Sequence, residues 1–107
     1  MRESDIERHL VRRVKELGGE VRKVRWIGRK GAPDRLVMLP ERWHQAPDKY
    51  AGELRNYRRQ PFSVWAELKA PGVKPEPHQL REHDRMRRMG QRVEVIDSLE
   101  RVEELLR

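Results

Sequence analysis

Two short motifs hold residue types suited to hydrolytic chemistry: G-x-P-D at Gly31 to Asp34 and E-x-K at Glu67 to Lys69. The second lies in an alternating stretch, Phe62 to Lys69, that reads as a strand closed by Pro71-Gly72. Residues two apart on a strand project from the same face, so Glu67 and Lys69 can share one site while Ala66 and Leu68 face away. Asp34 opens a short apolar run, Arg35 to Leu39, that reads as a buried strand ended by Pro40. If the two strands pair antiparallel with Leu39 opposite Phe62, counting inward puts Asp34 opposite Glu67. Two carboxylates and an ammonium then converge.

Such a cluster suits phosphodiester hydrolysis. Carboxylate oxygens are the hard ligands that Mg²⁺ or Mn²⁺ prefers, and the ion can activate one of its waters while neutralising phosphate charge. Lys69 would either lower the pKa of the attacking water or stabilise the pentavalent phosphate. Taken alone, each motif has an ordinary explanation, a turn for G-x-P-D and a solvated surface pair for E-x-K. Together they are more informative. The charged pair interrupts the apolar strand Val64-Trp-Ala-Glu-Leu-Lys, which breaks the burial pattern unless the charges have partners.

The elements that must position these residues follow from the apolar spacing. Ser4 and Glu7 form a capping-box pattern, and Ile6, Leu10, Val14 and Leu17 make one stripe of a first helix stopped by Gly18-Gly19. Glu20 to Ile27 reads as a strand with imperfect alternation, and Gly28 to Pro33 as a basic, Gly-containing loop. The stretch Glu41 to Pro61 has no clear period and is expected to hold a helical turn or two. Pro75 and Pro77 lead into a helix, His78 to Met89, ended by Gly90. A strand, Arg92 to Ile96, follows, and Asp97-Ser98 caps a last helix, Leu99 to Leu106. The order is α-β-β-β-α-β-α. The 107 residues amount to one domain with an insert at 41–61 between the second and third strands.

A compact domain this size buries about two-thirds of its unfolded surface, so the core is thin and self-association would bury what one chain cannot. Lys and Arg number 25 against 18 Asp and Glu, a net charge of +7, which is the balance of a polyanion binder with nucleic acid as the leading partner. There is no cysteine, which excludes thiolate metal sites and a thiol nucleophile and suits a reducing cytoplasm. No apolar run approaches the length of a membrane span, and Met1 to Arg8 lacks the hydrophobic stretch of a signal peptide.

The helix containing Glu7, the Gly31-Ala-Pro-Asp34 turn, the Ala66-Glu-Leu-Lys69 strand and the Pro-rich turn Lys74-Pro-Glu-Pro-His-Gln79 occur in one order. In this combination the chain resembles the PD-(D/E)XK nuclease superfamily, and within it the VRR-NUC family of virus-type replication and repair nucleases, over nearly its whole length. The resemblance implies an α/β fold with a central mixed four-stranded sheet flanked by helices. It implies that Asp34, Glu67 and the backbone carbonyl of Leu68 bind Mg²⁺ or Mn²⁺, and that Lys69 is the catalytic lysine. Glu7 would complete the site through metal or water, and Gln79 would orient Lys69 or a phosphate. Single-domain members of this kind, from phages and bacteria, imply a homodimer that cuts branched DNA such as Holliday junctions.

Arg22, Lys23, Arg25, Arg29 and Lys30 before the turn, and Arg55, Arg58 and Arg59 in the insert, are candidate DNA phosphate contacts. Trp43, Tyr50 and Tyr57 suit base stacking or interface packing. His44, His78 and His83 form no zinc-ligand set and are expected at helix surfaces, although His83, one turn past Gln79, could face the site. The alternative to a nuclease is a non-catalytic basic nucleic-acid-binding module of the same fold. The intact carboxylate pair weighs against it, because a pure binder gains nothing by aiming two anions at phosphate.

Overall fold

The computed structural model describes residues 1–107. Helix α1, Glu3–Glu16, buries Ile6, Leu10 and Val14 as one stripe, and Leu17 packs partly against the same core. Its start differs from expectation. Ser4 lies inside the helix, and Asp5 at the third helical position accepts from the Arg2 backbone N–H at 2.8 Å. Glu7 is therefore free of any capping duty. The Gly18-Gly19 stop holds for a steric reason: a Cβ on Gly19 would stand 2.2 Å from the Met38 carbonyl oxygen, so only glycine lets the chain turn there against the sheet.

The main sheet has four strands in the order β1-β2-β5-β6. They are β1, Glu20–Lys23; β2, Arg35–Leu39; β5, Phe62–Leu68; and β6, Val93–Ile96. The first three are antiparallel neighbours, and β6 runs parallel to β5, so the sheet is mixed. Strand β1 is shorter than Glu20 to Ile27. Beyond Lys23 the alternation fails; Val24 N–H still reaches the Asp34 carbonyl at 2.9 Å, but the chain then leaves the sheet.

On one face Val37, Leu39, Val64, Ala66, Leu68 and Ile96 pack against α1 and α3, Leu99–Leu106, which contributes Val102, Leu105 and Leu106. Ser98 caps α3 by accepting from the Arg101 N–H at 3.1 Å, as the sequence pattern requires. Helix α2, Pro77–Arg88, lies over the opposite face and buries Glu82, His83 and Met86. The arrangement is a helix–sheet–helix sandwich.

The insert holds no helical turn. It is a β-hairpin, β3, Arg42–Pro47, and β4, Leu54–Arg59, forming its own two-stranded sheet. The Asp48 carboxylate accepts from the Tyr50 and Ala51 N–H groups at 2.8 and 2.9 Å and so shapes the turn. Nearly every side chain of the hairpin is exposed, which is why no apolar period marks it. At its root Arg42 donates to the Leu106 carbonyl at 2.7 Å, tying the hairpin to the end of α3.

Candidate active site

The β2–β5 register pairs Leu39 with Phe62 and Arg35 with Ala66. One further step places Asp34 beside Glu67, as the counting from sequence required. Glu67 and Lys69 share the parity of Trp65, so all three face α2 rather than the apolar core. The Lys69 N–H donates to the Ile96 carbonyl at 3.0 Å, which fixes the end of β5 against β6.

The G-x-P-D turn is held from two sides. Gly31 has φ +87°, and a Cβ there would meet the His78 carbonyl at 3.0 Å and the Gln79 Cα at 3.3 Å. A glycine is thus needed to let the turn sit against the first turn of α2. Gln79 comes near the site through this contact, but its Oε1 accepts from the Glu76 N–H at 2.8 Å and serves as a helix cap. The structure shows no hydrogen bond from Gln79 to Lys69.

Glu67 is buried, 8% exposed, and its Oε1 lies 3.1 Å from His83 Nε2. His83 is fully enclosed, and its Nδ1 has no partner. His83 is therefore not at the helix surface expected for the histidines; it takes the other position its spacing allows, facing the site. Helix α2 directs this side chain into the site because it stands one turn after Gln79, on the face that meets the sheet. Burial pushes the Glu67 carboxyl above its ordinary range; the His83 hydrogen bond and charge, and then Lys69, oppose this, while Asp34 adds to it.

Asp34 is half exposed, and its Oδ1 forms an ion pair with Arg35 Nη1 at 2.8 Å. Arg35 is itself buried and also places Nε and Nη2 at 3.1 and 3.0 Å from Glu7 Oε1. Burial lowers the Arg35 pKa, but the Glu7 hydrogen bond and the Asp34 and Glu7 charges overcome this, and the net shift is upward. Glu7 thus reaches the site through Arg35. Arg35 was missed in the sequence because it was counted within an apolar run. It shares the parity of buried Val37 and Leu39, and an arginine on that face must find acid partners.

No three Asp, Glu or His side chains are grouped closely enough to cage a cation alone. Each of Asp34 and Glu67 nonetheless has one oxygen engaged and one unengaged. Two such carboxylates fit Mg²⁺ or Mn²⁺, ions commonly held by one or two carboxylates with water and substrate phosphate filling the remaining positions. Leu68 supplies a backbone carbonyl next to Glu67.

The basic residues divide into two groups. Arg25 and Arg29 line a cavity that also contains Asp34, and Lys30 is exposed in the same loop. Arg55, Arg58 and Arg59 lie on the hairpin, which joins β2 and β5 at the ends remote from Asp34 and Glu67. There Arg55 pairs with Asp48 at 3.0 Å, Arg58 with Glu41 at 2.8 Å, and the Arg59 guanidinium lies over the Phe62 ring. The structure does not bring these three to the carboxylates.

Comparison with known proteins bears on the fold and the family. No family model matches the chain. A protein named as a candidate nuclease, p44, from Acyrthosiphon pisum secondary endosymbiont phage 1 is 42% identical over 98 residues, covering 92% of this chain and 85% of its own. A solved structure described as a VRR_NUC domain is 36% identical with a TM-score of 0.69, over 97% of this chain and 92% of that one.

Proposed function

This chain belongs to the VRR-NUC family of nucleases, and from that premise we propose that it is a Mg²⁺- or Mn²⁺-dependent endonuclease that hydrolyses phosphodiester bonds in branched DNA. The observation that carries the reading is the register of β2 and β5, which sets Asp34, just before β2, beside Glu67 of β5, with Lys69, just past the end of β5, at the same parity as Glu67.

Asp34 and Glu67 hold the cation, with the Leu68 carbonyl as a further ligand. Bound there, a divalent cation supplies Lewis-acid stabilisation of phosphate charge and lowers the pKa of a coordinated water. Arg35 holds the Asp34 carboxylate and His83 the Glu67 carboxylate, so neither must be ordered when substrate arrives. Lys69 either takes part in activating the attacking water or offsets charge on the phosphate. Glu7 acts through Arg35, and Gln79 supports the turn that presents Asp34.

A DNA substrate is supported by the family and by a strongly basic chain whose unpaired Lys23 and Arg25 lie beside Asp34; that it is branched rests on the resemblance to single-domain members alone. A homodimer would bring two such sites to two strands of a symmetric junction. The hairpin offers a surface for it: Trp43 and Leu54, 65% and 66% exposed, project with Pro47 from one face.

The test is a cleavage panel of single-stranded, duplex, flap and four-way DNA with Mg²⁺, Mn²⁺ or chelator. Cutting of the four-way substrate that stops with chelator is expected. Asp34→Ala and Glu67→Ala should each abolish it while DNA binding is kept, and Lys69→Ala should slow it by about 100-fold or more. Parent-like cutting by both carboxylate variants would overturn the site. Tight, salt-sensitive binding without cutting under either metal would assign the non-catalytic module instead.

A further inference from the structure

Beside Asp34 lies an open cavity of about 520 Å³ whose wall includes Lys23, Arg25, Trp26 and Arg29. That volume falls within the range of sites that bury small ligands. The wall is cationic, and much of its charge is unspent: Lys23 and Arg25 are exposed and make no ion pair. Arg29 is steadied from below, its Nε 3.5 Å from a carboxylate oxygen of Glu82, which is itself buried in α2.

Trp26 gives the cavity an aromatic wall that is fixed in place. Its Nε1 donates to the Pro33 carbonyl at 2.8 Å, and its ring stands 5.1 Å from that of Trp65 at 50°. The indole's polar atom is thus satisfied and one side is packed, yet the residue remains 36% exposed. The backbone beside it is tied to the site as well, since the Val24 N–H donates to the Asp34 carbonyl at 2.9 Å. Platform and metal-ligating carboxylate therefore keep a fixed relation to each other.

An anchored aromatic surface among free cations is the combination that holds single-stranded nucleic acid, the ring stacking a base and the cations tracking its phosphates. We propose that this cavity seats one unstacked nucleobase of the substrate strand on Trp26, with the flanking phosphates held by Lys23, Arg25 and Arg29. The adjoining phosphodiester is thereby delivered to Asp34 and Glu67. The inference rests on the nuclease reading above and adds a recognition element to it: a nucleotide already free of its stack, as beside a branch, which costs least to seat.

The test reads binding in chelator, where nothing is cut. Fluorescence anisotropy measures the affinity of a splayed-arm DNA fork of fixed sequence, with one abasic residue placed in turn at each unpaired position nearest the branch. The parent protein should lose about tenfold in affinity at one position and little at the others, within the range that base–aromatic stacking supplies. Trp26→Leu should lose about tenfold on the intact fork and nothing more from the abasic residue at that position. Ala32→Leu, which fills the cavity while leaving the Trp26 hydrogen bond in place, should show the same insensitivity; it decides the matter should Trp26→Leu fail to fold by circular dichroism. A parent insensitive at every position, or variants that lose as much as the parent from the abasic residue, would overturn the proposal. Cutting without this coupling would remove the base pocket alone, whereas coupling without cutting under either metal would remove the nuclease reading.

Discussion

Glu67 has to be an anion to bind a cation, and burial works against that. His83 is the group in contact with it that offsets the cost, through a hydrogen bond inside the protein. Replacing His83 with Leu would leave a buried carboxylate without its donor. Metal-dependent cutting should then fall by about 10- to 100-fold, the usual effect of removing a group that orients a ligand. His83→Gln, which keeps an N–H donor, should recover part of it. A metal titration of the cleavage rate distinguishes the two variants, and equal activity in both would deny His83 this role. The raised Glu67 carboxyl also fixes a pH direction. Because metal and proton compete for it, cutting should begin to fail on the acid side at a higher pH than the ordinary carboxyl value of 4.5 would give, and excess Mn²⁺ should shift that limb downward. A pH–rate profile at two metal concentrations checks this.

The elements were unequally legible in the sequence. The stripe of α1 and the Ser98 cap of α3 follow from helical spacing, and the facing register of β2 and β5 follows from counting inward from Leu39 and Phe62. The hairpin has no buried side, so its only local sign is the Asp48 to Gly52 turn. Arg35 carries no sign of its role in the sequence, and His83 only the hint of its spacing from Gln79, for a different reason: their positions are fixed by parity and helical phase, but their partners come from other elements. The turn carrying Asp34 gives the sharpest test at this scale. Gly31→Ala places a side chain at φ +87° and against the His78 carbonyl, which should cost about 1–2 kcal/mol for the left-handed backbone alone. Thermal melting should register that loss, and cutting should fall by more than stability explains because the turn also aims Asp34. Far from the site, Glu103 of α3 joins Arg13 of α1 at 3.1 Å, and this pairing, with His9, holds its carboxyl below the ordinary 4.5. A depressed carboxyl pKa stabilises the fold above the unfolded value and loses that contribution as pH falls through the folded one. Glu103→Gln should therefore lower stability near neutral pH by about 0.5 kcal/mol, and parent and variant should converge in acid and in high salt.

The whole molecule measures 50 × 33 × 24 Å, with the hairpin standing outside the helix–sheet–helix layers. Its position bears on how one chain could serve a two-stranded substrate. The hairpin arginines stand at the far end of β2 and β5 from the carboxylates, and two of the three are already paired with acids. They add little free charge to the site. Trp43 and Leu54, by contrast, share an exposed face, and a thin core leaves the chain with apolar surface that a second copy could cover. A two-fold axis through that face would repeat each contact, doubling the area without needing a second kind of surface. Sedimentation should then give twice the 12.9 kDa chain mass at micromolar concentration, and Trp43→Glu should return it to the single-chain mass. Because Trp43 is exposed in the single chain, this variant should keep the melting behaviour of an isolated subunit and its capacity for single nicks. Paired nicking of a four-way junction should be lost, since it needs two sites held on one substrate. A parent that sediments at the chain mass, or a Trp43→Glu variant that remains dimeric, would place the interface elsewhere or remove it, and paired cuts would then have to come from two independent encounters.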